Sequence, residues 1–424
     1  MKKKHLQLIY LITLFYQGFL YGTENTFSPI RLSTSINKVQ PMTGIAFWAS
    51  NNKALEALGD TVQLEFSYLT YSDVIETKGH YKWEVIDNLL NDIASRKHQA
   101  ILRFHYTYPG KVKRSVPAYI FNDEDYARTS ATVENKKTFV PDWSFKELET
   151  FTTQFFANFA ARYDGDPRLA MIQVGFGSYA EYHLYNGPRV LGKTFPTKKF
   201  QTSFFKTMND KFDTTQWSVS IDAANSDYGP FSSKAEHANL NFGLFDDSMM
   251  HKTHSVTEDE YNLSSWKFFG IERYKKRMMG GEFSYYSDYD QKSVLTYPGG
   301  AWGRSFESFV DQFHLSYIIG NDQFRYQAPE RIREASMSMG YKFHVNSFEA
   351  SNEQSRISIS NIGVAPLYYD AYPAVNGVRS NLSLKGLLPN QTIEFLIDSG
   401  GDKPSFAIES DYLVEGQVIG FSAD

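Results

Sequence analysis

Apolar residues in this chain recur with two alternating periods. "TGIAFWAS" (43–50) and "VQLEFSYL" (62–69) read as strands bounded by turn residues. "YKWEVIDNLLNDIASRK" then puts Trp83, Ile86, Leu89, Leu90 and Ile93 on one helical face. "AILRFHYTYPG" returns to a strand, ended by Pro109 and Gly110. "WSFKELETFTTQFFANFAARYDG" carries a stripe of Leu148, Phe151, Phe155 and Phe159, with Ser144 and Glu147 in capping-box spacing and Gly165 as a stop. "LAMIQVGFG" is an almost unbroken apolar run, the pattern of a strand covered on both faces. The alternation continues with strands at "WSVSIDAAN", "NFGLFDDSM", "MMGGEFSYY" and "LSYIIG". Helices are expected near 198–212 and at "SSWKFFGIERYKKR", "SFESFVDQF" and "RIREASMSMGYKF".

About eight strand–helix units between residues 43 and 343 predict an α/β fold, a (β/α)8 TIM barrel. An open doubly wound sheet is the alternative, but no glycine-rich phosphate loop follows the first strand. Beyond 343 the period changes. "RISISNIG", "LYYDAYPAV", "SNLSLKGLLPNQTIEFLID" and "YLVEGQVIGF" are short strands between Asn, Gly and Pro turns, predicting a small antiparallel β-sandwich. The expected division is a leader at 1–22, a barrel at 23–343 and a sandwich at 344–424.

The leader is read from "KKKH" followed by "LQLIYLITLFYQGFL" and a small, polar "YGTEN", with a cut after Gly22. A membrane anchor is the alternative; the apolar stretch is short and broken by Gln7, Thr13 and Gln17. The expected mature protein is periplasmic or secreted, without stable membrane insertion. With no cysteine there is no lipidated signal cysteine, no disulfide and no thiolate metal site. A formal charge of −5 and the lack of basic runs argue against nucleic acid. Aromatic residues make up 16%, with 28 tyrosines, which suits either a packed core or a cleft for hydroxylated ligands.

In a barrel of this kind chemistry sits where strands run into loops. Polar residues just after the apolar runs are Trp48, Arg103 with His105, Glu181 with His183, Asp222, Asp246 or Asp247, and Glu282. Glu181 and Glu282 follow glycine-broken ends of the fourth and seventh strands, which face each other across a barrel. Two such carboxyls can hydrolyse a glycosidic bond, one protonating the leaving oxygen and the other attacking the anomeric carbon. Their pKa values must then differ. Of the adjacent aspartates only one can face inward, and Asp246 is the candidate. Arg103, in an apolar strand, needs a carboxylate partner, for which Glu282 is the candidate. Trp48, Tyr179, Tyr285 and Trp302 are candidates for stacking on sugar rings.

"KGHYKWEVIDNLLNDIASRKHQAILRF", "YDGDPRLAMIQVGFGSYAEYHLY", "GLFDDSM" and "GGEFSYY" resemble segments of secreted bacterial (β/α)8 barrels of mostly unassigned function. That group is similar to the clan-A retaining glycoside hydrolases, the superfamily of family 42 β-galactosidases. Its fourth-strand motif is usually Gly-x-x-Gly-x-x-Gly-Glu-Trp-His. The resemblance implies that Glu181 is the acid/base and Glu282 the nucleophile, acting on a polysaccharide or oligosaccharide without a cofactor. Two positions depart. Ala180 stands where clan-A enzymes usually have the Asn that binds the sugar 2-hydroxyl, and Tyr182 stands where the group often has Trp. Two other readings stay open. One is a carbohydrate-binding barrel without catalysis. The other is a metallohydrolase using His105, His183 and Asp246, with or without Glu181.

Overall fold

A computed structural model describes residues 26–112, 114–254 and 261–424. The leader at 1–22 lies outside the described residues. Among the described residues no helix is long and apolar enough to cross a membrane.

Eight parallel strands close into a barrel: β1 (Gly44–Trp48), β2 (Leu64–Thr70), β3 (Gln99–His105), β4 (Leu169–Val174), β5 (Gln216–Ser220), β6 (Gly243–Met249), β7 (Gly280–Phe283) and β8 (Tyr317–Ile319). Each pairs with its neighbour in chain order, and β8 pairs with β1 through Tyr317↔Gly44 and Ile319↔Ala46. Helices pack around the outside, among them Trp83–Ser95, Lys146–Tyr163 and Lys198–Lys211. The predicted barrel is the observed one.

Strand alternation divides the core in two. Leu102, Phe104, Ile172, Val174, Leu244, Phe283 and Ile318 face outward into a cluster shared with the helices, where Phe104 meets Phe155 and Phe159. The residues between them point into the barrel, where Phe66, Tyr68, Arg103, Gln173, Phe245 and Tyr317 gather. This parity decides which polar residue at each strand end reaches the mouth.

Several local expectations are corrected. Ser144 does not cap the long helix, which begins at Lys146 behind Phe145; its hydroxyl instead donates to Asp142 Oδ1 at 2.6 Å. "WSVSIDAAN" is a strand only to Ser220 and then turns into a 3-10 segment, Ile221–Ala224. "SSWKFFGIERYKKR" is broken at Gly270, whose φ of 91° lies outside helical space, so a helix to Phe269 is followed by a 3-10 turn. Between β3 and the helix Lys146–Tyr163 the chain adds a short helix, Ala118–Phe121, and a hairpin, Thr129–Val133 with Lys136–Val140, turned by Glu134 and Asn135 at positive φ.

The tail holds two sheets. One orders Ser28–Pro29, Phe343–Ala350, Ser355–Asn361 and Thr392–Ile397, with Phe421–Ala423 also on Phe343–Ala350. The other holds Tyr372–Val375, Val378–Arg379 and Phe406–Glu409. Phe406 lies 5.7 Å from Phe348 and 4.8 Å from Phe421, so the sheets face each other as predicted. Two details differ from the expected tail. Phe421–Ala423 runs parallel to its partner, and Ser28–Pro29 adds a strand from before the barrel. The sandwich closes the floor of the barrel. Leu64, Ile101, Met171 and Met278 share one apolar cluster with Leu367, Tyr368 and Tyr369. The Tyr369 hydroxyl donates to the Ala170 carbonyl at 2.5 Å and accepts from the Gln216 amide at 3.2 Å. The opposite mouth is left open.

Candidate active site

Glu181 reaches the mouth through a folded-back loop. After β4 the chain turns at Gly175–Phe176–Gly177, and the amides of Phe176 and Gly177 both donate to the Glu181 carbonyl, at 3.0 and 2.7 Å. Ser178 N donates to His183 O at 2.8 Å, and Tyr179 N to Thr107 O at 3.0 Å. This close return requires the glycines: a Cβ on Gly175 would sit 2.1 Å from the Ala180 carbonyl oxygen, and one on Gly177 2.3 Å from that of His183. Tyr179 and Ala180 hold φ of 58° and 59°, a left-handed pair that is costly for residues with a Cβ and is retained here at the cavity wall.

Glu282 comes from β7, beside Ile319 of β8. Gly280 and Gly281 precede it because the barrel is crowded there. A Cβ on Gly280 would meet the Tyr317 ring at 2.3 Å, and one on Gly281 the Asp246 carbonyl at 2.6 Å. Glu181 and Glu282 line one cavity of about 570 Å³ at the C-terminal end of the strands.

Arg103 stands beneath them, fully buried. Its Nη1 donates to Glu181 Oε1 at 2.5 Å, and its Nε and Nη2 donate to Gln173 Oε1 at 2.8 and 2.6 Å. Phe245 lies 4.5 Å from the guanidinium. The predicted partner, Glu282, is therefore corrected to Glu181. Glu282 still feels the charge of Arg103, but burial dominates and pushes its carboxyl up to about 7, with Arg103 opposing and Asp247 and Asp322 adding to the rise. Burial also raises Glu181, well above the carboxylate range; Asp247 adds to this and Arg103 opposes it.

The remaining candidates divide. Trp48, Tyr179, His183 and Tyr285 line the cavity. Asp222 stands behind the wall, with Oδ2 3.4 Å from His183 Nδ1. His105 is buried between Tyr68 and Tyr108, not on the cavity wall. Burial, with Lys111 next, brings its imidazole down to about 4. Trp302 is also off the wall, its indole donating to Asp290 Oδ1 at 2.9 Å. Asp246 is corrected to Asp247. With Phe245 turned in toward Arg103, Asp246 must turn out, where it accepts from Trp266 Nε1 at 3.1 Å and Asn262 Nδ2 at 3.2 Å. Ala180 is fully buried and is not part of the lining.

Sequence reasoning missed much of the wall. Tyr68 had a signal, since it continues the inward series Leu64, Phe66. Asn321 and Asp322 had one too, following β8 directly. Glu134 had none, because it belongs to the inserted hairpin. Tyr185 and Tyr286 also line the cavity, and their hydroxyls meet at 3.2 Å. Tyr185, Tyr285 and Tyr286 are exposed by 45%, 49% and 61% at the rim, although one face of the Tyr185 ring stacks on His183 with centroids 4.1 Å apart.

His183 is surrounded by carboxylates. Burial acts against its cation, but Asp222, Glu134, Glu181 and Asp247 outweigh burial and push its pKa well up. Among the described residues, Glu181, His183 and Asp247 also form a group able to hold a metal ion, with donor atoms within 4.8 Å of one another. The His105–His183–Asp246 set is not assembled.

No protein-family model matches the chain, and no curated protein does. Solved structures with similar folds include the catalytic domain of a β-amylase from Paenibacillus polymyxa, at 9% identity and TM-score 0.46, over 70% of this chain and 99% of that one. Endo-glycoceramidase II from Rhodococcus sp. aligns at 10% identity and TM-score 0.42, over 88% of this chain and 100% of that one. An α-galactosidase from Thermus thermophilus aligns at 11% and 0.39, over 78% and 66%. At these identities and TM-scores the likeness carries no weight for activity or substrate. The barrel rests on its own strand order.

Proposed function

We propose that the chain is an exported glycoside hydrolase that cleaves a polysaccharide or oligosaccharide with retention of configuration. The observation that carries the reading is the convergence of two buried carboxyls, from facing strands, on one open cavity rimmed by exposed tyrosines.

The raised carboxyls support the roles. Burial raises Glu181 well above the ordinary carboxylate range, which favours the protonated form an acid needs, and Glu282 is raised to about 7. Glu181 then protonates the leaving oxygen while Glu282 attacks the anomeric carbon, forming a glycosyl–enzyme bond and releasing the alcohol. Deprotonated Glu181 next takes a proton from water, whose oxygen displaces Glu282. Arg103 stabilises the negative charge that moves between the two carboxyls. Tyr185, Tyr285 and Tyr286 offer stacking faces for sugar rings.

Ala180 does not line the cavity, so hydrogen bonds to sugar hydroxyls fall to groups that do, such as Asn321, Asp322 and Ser248. Turnover of a glycan panel with product sizing, run beside Glu282→Gln, tests the reading. Binding without cleavage would favour a carbohydrate-binding barrel.

A further inference from the structure

His183 is only 5% exposed, and its Nδ1 makes no hydrogen bond. Yet three carboxylate oxygens lie 3.4 Å from that atom: Glu181 Oε2, Asp222 Oδ2 and Asp247 Oδ2. A ring N–H aimed at one acceptor would bring it to about 2.9 Å and leave the others aside. Two of these oxygens, from Glu181 and Asp247, also lie with the ring nitrogen within 4.8 Å of one another, which matches ligands around a small cation, while Asp222 falls outside that group. Bonds of about 2.1 Å at tetrahedral angles separate ligand atoms by about 3.4 Å.

The surroundings fit the same reading. Glu181 divides its oxygens, Oε1 to Arg103 and Oε2 toward His183. Behind the ring, His183 Nε2 is 3.6 Å from Glu134 Oε1, while Glu134 Oε2 accepts from the Tyr179 hydroxyl at 3.0 Å. A carboxylate behind a ligating imidazole orients the ring and raises its basicity. All three donor residues also line the cavity, which leaves a further coordination position open to it.

We propose that Glu181, His183 and Asp247 form a binding site for a divalent transition-metal ion, and that a cation held there switches hydrolysis off. One imidazole and two carboxylates suit zinc or manganese. Binding stands on the geometry alone; the switch rests on the hydrolytic reading given above. A Glu181 oxygen engaged by a cation cannot protonate a leaving group, while Glu282 is outside the ligand set.

The test is titration calorimetry with ZnCl2 and MnCl2 on chelator-treated, buffer-exchanged protein, using wild type, Glu282→Gln, Asp247→Asn and Glu134→Gln. Turnover is measured in parallel. Wild type and Glu282→Gln should bind one equivalent of at least one of the two ions. Asp247→Asn should weaken binding by more than the roughly 10–100-fold loss expected for Glu134→Gln, whose carboxylate stands behind the ligand. Glu134→Gln keeps the test open if Asp247→Asn does not fold. The same ion should inhibit wild-type turnover over the concentration range in which it binds, and chelator should restore it. No saturable binding, or binding that neither substitution weakens, would overturn the site. Full turnover at saturating cation would overturn the switch. Asp247-dependent binding in a protein without turnover would uphold the site and remove the hydrolytic reading.

Discussion

Arg103 and Glu181 form a 2.5 Å ion pair in the middle of the barrel, their side chains 0% and 3% exposed. A pair so buried is weak evidence for stability as a whole, but breaking it on one side strands a charge. The pair fixes the carboxyl that the proposed chemistry needs and ties it through Gln173 to Tyr317 of β8.

Arg103→Leu should therefore destabilise the fold by about 3–5 kcal/mol at alkaline pH, where Glu181 is ionised, and by less at neutral pH, where Glu181 holds its proton. Chemical denaturation would show it. Adding Glu181→Gln should restore part of the loss at alkaline pH, because the carboxylate stranded there is then gone. A single substitution within 1 kcal/mol of wild type at alkaline pH would argue that the pair does not form.

The pH dependence follows from the two raised carboxyls. Hydrolysis needs Glu282 ionised and Glu181 protonated, so kcat/KM should rise through about pH 7 and fall only at more alkaline pH. Each carboxyl keeps its proton to a higher pH in the folded chain than in the unfolded one. Their stabilising contribution is complete below the ordinary carboxylate value and is lost as pH climbs, through about 7 for Glu282. Glu282→Gln should flatten the neutral part of the stability-versus-pH curve. An acid limb near pH 4 would contradict the burial of Glu282.

Gly177→Ala tests the folded-back loop. Its new Cβ would fall 2.3 Å from the His183 carbonyl oxygen and 2.9 Å from its amide, so the loop must open. The expected cost is about 1–3 kcal/mol, the scale of overpacking, with a large loss of turnover because Glu181 and His183 are displaced. Retained activity with an unchanged melting curve would show that the loop has another resting shape.

Tyr369→Phe reports on how the tail supports the barrel. Removing the hydroxyl leaves the Ala170 carbonyl without its donor and the Gln216 amide without its acceptor at the barrel floor. The expected loss is about 1–3 kcal/mol in denaturant titration. A neutral result would mean that water replaces the hydroxyl there.

The barrel was legible because its strands are apolar on both faces and its helices carry a clear stripe. Glu181 and Glu282 were legible because glycines mark where strand ends are crowded. The choice between Asp246 and Asp247 was not. It turns on whether Phe245 faces Arg103 or the helices, and either face accepts a phenylalanine. Arg103 showed its need for a carboxylate, but the loop that brings Glu181 back over it depends on contacts between Gly177 and His183 that no local period encodes. Glu134 was hidden for a similar reason: a hairpin tip carries no sign of the wall it closes.

The most direct measurement is turnover of a broad glycan panel by wild type, Glu181→Ala and Glu282→Gln, with the product anomer followed by NMR. Wild type should cleave at least one glycan and release the retained anomer first. Glu282→Gln should show no turnover, since an amide cannot form the glycosyl–enzyme bond. Glu181→Ala should lose about 10²–10⁴-fold on substrates with poor leaving groups and less on activated ones, with azide restoring part of the rate as a glycosyl azide. Equal turnover in all three proteins, an inverted product, or binding without cleavage across the panel would contradict the assignment of Glu181 and Glu282 as a retaining pair.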